Sequence, residues 1–305
     1  MELRRVGGAK PSHPAKLARR ASLVHHPAVS VTLVNHMLGI ASLPASFDLS
    51  PHGPGIFDQG QDGSCVPTSG AGCLYTAFGA QGGPLPWVPS MKVPYGGARA
   101  RERALATAVG QPVPTMATWG DTGLEVADLI AFYAEYGVTD RLLTSGLVNG
   151  LTPDGRFSDL WSQADTGDPA IENINDEPEL GLLETSGRKL IVGPYGIDPA
   201  ASNASDVIAA AIVNGIPVQM AFFCDSAFQA LFAGQVAVAP NLSDTKGGGH
   251  AVYLNGFQQL AGARVFTLVN SWSKSWCNQG TTLVGSAWLA GAWEAWPYAA
   301  VKVAA

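Results

Sequence analysis

The order of secondary-structure patterns along the chain restricts the fold more than any other feature of the sequence. Helical patterns predominate before residue 140 and strand patterns after residue 200. The predicted helices are 65–78, 99–109, 124–136 and 205–213, with a loop at 84–97, and the predicted strands are 189–193, 216–223, 235–239, 251–257 and 265–269. Helices first and strands later predict an α+β fold with two lobes, and not alternating βαβ units.

The distribution of charge divides the chain into a basic arm and an acidic body. Six of the first 20 residues are basic, although the whole chain carries a net charge of −6. Such an arm is able to dock on the body, or to contact nucleic acid or an anionic membrane. A solvated tail is the other alternative. No aromatic residue lies among the basic ones, so we expect no nucleic-acid binding.

Several classes of protein are disfavoured by the sequence. No uninterrupted apolar stretch reaches about 18 residues, so no membrane-spanning helix is expected. The start of the chain is not a convincing signal peptide, and the localisation stays open. The four cysteines form no CxxC pair and no HExxH motif occurs, so we expect neither a metal nor another cofactor.

A cysteine in a special local setting is the first candidate for chemistry. Cys65 follows a glycine-rich loop and begins a predicted helix, where unpaired backbone N–H groups and the helix dipole favour the thiolate. The backbone N–H of Cys65 and the side-chain amide of Gln59, six residues upstream, are candidate donors to an oxyanion. A cysteine considered alone is more often a buried structural residue.

A histidine and an asparagine in the second half complete the candidate set. His250 opens a buried strand after three glycines, which leave room above it for a substrate chain. Placed against Cys65, it is able to take the proton of the thiol. Asn270 ends the next strand, and its amide oxygen is able to orient an imidazole, with Trp272 as a shield from water. Each of these residues also has a purely structural interpretation, so the combination carries the prediction.

Together, these motifs resemble the papain family of cysteine peptidases over roughly residues 43–305. The similar stretches are Leu43-Pro44 to Asp48, Gln59-Gly60, Gly63-Ser64-Cys65, Gly249-His250-Ala251-Val252 and Asn270-Ser271-Trp272. The cysteine pairs usual in plant and lysosomal members are missing, so the chain looks closer to bacterial or viral members. The family's Cys-x-Gly-Gly is replaced by Asp121-Thr122-Gly123, and Ser273 and Cys277 stand where glycine is usual.

The resemblance implies a role for each matching residue. It implies that Cys65 is the nucleophile, His250 the general base, Asn270 the residue that orients His250, and Gln59 part of the oxyanion hole. The residues that it implies at the substrate-binding cleft are Gly123, Gly63, Ser64, Gly249 and Trp272.

The resemblance also implies a papain-like two-lobed fold, with a helical lobe carrying the cysteine and an antiparallel β-barrel-like lobe carrying the histidine and asparagine. We expect an N-terminal extension at 1–43, the helical lobe at 44–139, and the β-rich lobe at 140–305 with an acidic insert at 140–200.

The expected function is cysteine endopeptidase activity on polypeptide substrates, through a thioester on Cys65. Residues 1–43 are expected to act as a propeptide or a docking arm on the same chain. Two alternatives stay open at this point: a catalytically silent or structural protein on the same fold, and a cell-wall amide hydrolase that uses the same residues.

Overall fold

The computed structural model describes residues 9–11, 42–60, 62–82, 88–108, 110, 121–138 and 196–299. The strand predicted at 189–193, most of the acidic insert and most of the arm lie outside these residues. No helix in the described part of the chain is long and apolar enough to cross a membrane.

The described residues form an α+β structure with most helices before the main sheet. The helices are α1 (Cys65–Gly82), α2 (Lys92–Ala108), α3 (Val126–Tyr136), α4 (Ala204–Val213), α5 (Ser226–Gln229) and α6 (Ser286–Ala290). The strands are β1 (Ala9–Lys10), β2 (Phe47–Asp48), β3 (Leu124–Glu125), β4 (Val218–Cys224), β5 (Val236–Ala237), β6 (Gly248–Leu260), β7 (Ala263–Val269), β8 (Thr281–Val284) and β9 (Ala292–Pro297). A short 3-10 helix covers Ser50–His52.

Helix α2 begins earlier than the sequence predicts. The predicted loop at 84–97 is wrong from Lys92 onward, because Lys92 is the first residue of this helix. Pro94 lies in the first turn, where its missing N–H costs little. Gly97 lies against the ring of Phe132, and a Cβ at Gly97 would come within 2.2 Å of that ring. The glycine therefore serves close helix packing rather than a turn.

Strand β6 is central to the main sheet. The strands follow the order β5-β8-β7-β6-β4-β9, with β2 also paired to β6. The pairs along β6 are antiparallel, whereas β5 and β8 are parallel. The path stays open among the described strands, so the expected barrel-like lobe is an open sheet. The predicted α+β class holds.

Helix α1 packs against β6 through small residues. A Cβ at Gly72 would lie 2.6 Å from the ring of Tyr253 on β6, and one at Gly70 would lie 2.7 Å from Leu129 on α3. Buried side chains form two clusters, one around α1, α2 and α3 and the other around the sheet, α4 and α6. The proposed division at residues 43 and 139 remains a prediction.

The segment between β7 and β8 holds three non-glycine residues with positive φ, the third being Gln279 at 53°. Ser273 has φ 64° and Cys277 has φ 43°. A side chain in the left-handed region costs roughly 1–2 kcal/mol. Cys277 and the other three cysteines, all of them described, are free thiols.

We predict that Ser273→Gly stabilises the protein relative to Ser275→Gly. Glycine relieves the positive φ at position 273, whereas Ser275 in the same turn is not among the residues with positive φ. The difference in unfolding free energy between the two variants should be about 1 kcal/mol. Urea unfolding measures it, and equal or reversed stabilities would show that position 273 carries no strain.

Candidate active site

The N-terminus of helix α1 delivers Cys65 to the central strand. Cys65 is the first helical residue and is fully buried. The backbone N–H groups of Ala251, Val66 and Cys65 itself lie near its sulfur, and each lowers the pKa of the thiol. Ala251 directly follows His250, so the packing of α1 on β6 brings the predicted nucleophile to the predicted base.

Burial dominates the acidity of the cysteine in this structure. It raises the pKa of the Cys65 thiol to about 12, although the three backbone N–H groups oppose the change. The negative charge of Asp121 raises this pKa further. The thiol is therefore protonated at neutral pH in the state described.

The pairing of β6 with β7 brings His250 and Asn270 together. Tyr253 pairs with Val269 in the antiparallel ladder, so Asn270 follows at the end of β7 near the start of β6. His250 Nε2 lies 2.8 Å from Asn270 Oδ1. The backbone N–H of Ser271 donates to the same Oδ1 at 2.8 Å.

These contacts assign the histidine tautomer. An atom that accepts the Ser271 N–H is the amide oxygen, so His250 Nε2 donates its proton to Asn270. The other ring nitrogen, Nδ1, is then the acceptor in the neutral imidazole. Asn270 therefore holds His250 in the tautomer that suits a general base.

Aromatic rings enclose the imidazole. Trp272 stacks on His250 with ring centroids 4.5 Å apart and planes inclined by 24°. Phe222, opposite His250 on β4, meets the ring edge-on at 5.9 Å. Burial lowers the pKa of His250 to about 4, although the hydrogen bond to Asn270 opposes the change. The ring is consequently neutral in this state, and Trp272 covers the side chain that Asn270 orients.

Gln59 is tied to the turn that follows Asn270. Its Oε1 accepts a hydrogen bond from the Ser271 hydroxyl at 2.5 Å, and its Nε2 donates to the Asp62 carbonyl at 2.8 Å. Since the amide has two N–H groups, a second one is available in principle for an oxyanion. Ser271 thus orients Gln59, a role that the Asn-Ser-Trp motif did not reveal without the fold.

Strand β1, from the N-terminal arm, lies beside the site. Ala9 pairs with Leu124 and Lys10 with Glu125, in parallel. The Ala9 carbonyl faces Gly249 so closely that a Cβ at Gly249 would come within 1.7 Å of its oxygen. Ala9 therefore occupies the space above the residue that precedes His250.

Three carboxylates lie beneath the arm. Those of Glu102, Glu125 and Asp128 lie within 4.8 Å of one another. Lys10 Nζ is 3.6 Å from Glu102 Oε2. The cluster thus places negative charge where the basic arm meets the body.

The other predicted cleft residues occupy different positions around Cys65. The N–H of Gly123 donates to the Tyr95 hydroxyl at 3.2 Å. The backbone that pairs with the extended strand β1 therefore begins one residue later, at Leu124. Gly63 lies in the loop before Cys65 and contacts Asp121. Ser64 is buried, and its carbonyl accepts a hydrogen bond from Thr68 at 2.8 Å.

Known structures share this fold. Xylellain, a cysteine protease from Xylella fastidiosa, aligns at 18% identity with a TM-score of 0.61, over 100% of this chain and 99% of that chain. Procathepsin B S9 from Trypanosoma congolense aligns at 16% identity with a TM-score of 0.59, over 88% of this chain and 80% of that chain. Digestive procathepsin L 3 of Tenebrio molitor larval midgut aligns at 15% identity with a TM-score of 0.55, over 95% of this chain and 94% of that chain.

A family model adds evidence from the sequence itself. The model for papain family cysteine protease matches residues 188–287, which include His250 and Asn270 but not Cys65. No curated protein matches the chain. The chain therefore has the papain-like fold, and its segment 188–287 is similar to the papain family of cysteine proteases.

Proposed function

We propose that this chain is an endopeptidase in which Cys65 is the nucleophile, His250 the general base and acid, and Asn270 the residue that orients His250. The hydrogen bond of 2.8 Å between His250 Nε2 and Asn270 Oδ1 is the observation that carries the proposal. The His250 ring is stacked against Trp272. The Ala251 N–H near the Cys65 sulfur supports the proposal, since it links the nucleophile to the strand of the base.

The proposed reaction proceeds through a thioester. His250 Nδ1 takes the thiol proton, and the Cys65 sulfur attacks the carbonyl carbon of the peptide. The N–H of Cys65 and the amide of Gln59 stabilise the oxyanion. The imidazolium then gives its proton to the leaving amine, and a water molecule activated by His250 hydrolyses the thioester.

The arm is proposed to hold this site in a latent state. Residues 1–43 would dock on the body through β1, whose pairing with Leu124 and proximity to Gly249 occupy the site that an extended substrate needs. With Cys65 and His250 buried beneath it, both groups are neutral, and a thiolate–imidazolium pair is unfavourable. Release of the arm would admit water and lower the pKa of the thiol. Two of the similar structures are pro-forms by their names.

We predict that Cys65→Ser and His250→Ala each lower peptide cleavage at least a thousandfold, because each removes one half of the nucleophile–base pair. Cleavage of a peptide library, followed by mass spectrometry, measures the loss. Cys277→Ser is the matched control, since Cys277 is a free thiol whose contact is with the Phe232 carbonyl.

Retained cleavage in Cys65→Ser would contradict the assignment of the nucleophile. Absence of cleavage by both the wild-type chain and a variant with a weakened arm would contradict peptidase action and favour a catalytically silent protein. Cleavage of cell-wall peptides alone would favour the amide hydrolase alternative.

Lys10→Glu is predicted to accelerate alkylation of Cys65 by iodoacetamide roughly tenfold at pH 6. The substitution replaces the pair between Lys10 and Glu102 by repulsion and loosens the arm, and a tenfold change corresponds to about 1.4 kcal/mol. Lys274→Glu makes the same charge change at an exposed turn. Equal labelling of Cys65 in both variants, read by peptide mass spectrometry, would show that the arm does not mask the thiol.

For Ser271→Ala we expect kcat to fall about tenfold with little change in KM. The variant loses the hydroxyl that orients the Gln59 amide, and an oxyanion donor acts mainly in the transition state. Ser275→Ala, which removes an exposed hydroxyl in the same turn, is the control for steady-state kinetics. A rise in KM at unchanged kcat would mean that Ser271 affects substrate binding instead.

A further inference from the structure

The carboxylate of Asp121 connects two segments that flank the nucleophile. Its Oδ2 accepts the N–H of Gly63, in the loop before Cys65, at 2.6 Å. Its Oδ1 accepts a hydrogen bond from the Tyr95 hydroxyl. The same hydroxyl accepts the N–H of Gly123 at 3.2 Å. One carboxylate and one phenol therefore link the nucleophile loop to the residue that leads into β3.

The fit between Asp121 and Gly63 leaves no room for a side chain at position 63 while the carboxylate stays in place. A Cβ there would lie 2.6 Å from Asp121 Oδ1 and 3.2 Å from its carboxyl carbon. A side chain at position 63 would push the Asp121 carboxylate away and break its hydrogen bond with the backbone N–H of residue 63. The glycine in the nucleophile loop thus provides the room for this contact.

The surroundings of Tyr95 keep its hydroxyl protonated. Burial, and secondarily the charge of Asp121, raise the pKa of Tyr95 well above its usual value, so its hydroxyl remains a donor. The buried guanidinium of Arg99 lies 4.8 Å from the Tyr95 ring and provides positive charge nearby. The phenol can therefore donate to Asp121 and accept from Gly123 at the same time.

No covalent link performs this task. Cys65, Cys73, Cys224 and Cys277 are all free thiols, and they are all the cysteines of the chain. Gly63 and Asp121 are 58 residues apart in sequence, so only tertiary contacts hold them together. A hydrogen bond whose acceptor is ionised is stronger than one between neutral groups, so the carboxylate favours this position of the loop.

We propose that Asp121, acting with Tyr95, is a positioning residue that sets the distance between the Cys65 loop and the backbone edge at Leu124 where an extended chain pairs. This inference rests on the proposed function, since it assigns the same edge to the substrate. Asp121 acts through Gly63 and Tyr95 acts through Gly123, and neither side chain is assigned a step in the reaction. The nucleophile and the substrate backbone are thereby held in register without a disulfide.

Two substitutions separate the geometry of this link from its charge. Asp121→Asn removes the charge and one of the two acceptor oxygens, so either the Gly63 or the Tyr95 hydrogen bond is lost. Tyr95→Phe breaks the link to Gly123 and leaves the carboxylate charged. Asp198→Asn is the matched control, because this exposed carboxylate accepts only a local backbone bond, from Ala200 at 2.9 Å, among its described contacts.

We expect kcat/KM for peptide cleavage to fall about tenfold in Asp121→Asn and in Tyr95→Phe, but not in Asp198→Asn. The Asp121 charge raises the pKa of the Cys65 thiol, so its removal should shift the alkylation profile of Cys65 to lower pH. Tyr95→Phe, which keeps the charge, should not produce that downward shift. A purely structural role would lower the melting temperature of both variants without this difference between their Cys65 alkylation profiles.

The outcomes distinguish this inference from the proposed function. If the wild-type chain cleaves peptides and both variants keep its kcat/KM, the positioning role is wrong and peptidase action stands. The positioning role is also wrong if lost activity follows lost melting temperature and neither alkylation profile moves. If the wild-type chain and the Lys10→Glu variant both fail to cleave, the proposed function itself fails.

Discussion

The packing of helix α1 against strand β6 is the constraint on which the site depends. The glycine at position 72 lets the helix approach Tyr253 closely, and the start of the helix then meets the backbone of Ala251. A bulkier side chain on this face of α1 would separate Cys65 from β6, the strand that carries His250. The geometry of the site is therefore a consequence of helix–sheet packing. The helix dipole favours the Cys65 thiolate only over the first turn of α1, so its effect depends on where that packing places the turn.

Burial has two opposing effects on this site. It protects the hydrogen bond between His250 and Asn270 from water, which keeps the imidazole in one tautomer and orientation. It also raises the pKa of Cys65 to about 12 and lowers that of His250 to about 4, so that the charged pair is disfavoured. Strand β1 contributes to the enclosure through Ala9, which lies against Gly249. A site of this kind is preorganised in geometry while its ionisation depends on solvent access.

Much of the fold and the core of the site could be predicted from sequence, because their signals are local. A helix was predicted at 124–136 from apolar spacing. Helix α3 covers Val126–Tyr136, because Leu124–Glu125 form β3, and it stops before Gly137, which has φ 81°. The contact between His250 and Asn270 was also predicted, since both residues lie at the ends of paired strands. Helix α2 was predicted to begin too late. Proline and glycine before residue 98 favour a loop locally, whereas Phe132 requires a glycine on the helix face.

The sequence by itself determined the α+β class, the candidate nucleophile and base, and a basic arm facing an acidic body. Only the tertiary structure decided how Gln59 is oriented by Ser271, which lies 212 residues away, and how Asp121 and Tyr95 join the Cys65 loop to β3. The physical reason is that helix and strand patterns arise from neighbouring residues, whose spacing along the chain is visible. Hydrogen bonds between distant segments depend on how closely the elements pack, and a single aspartate or serine carries no sign of its partner until the chain has folded.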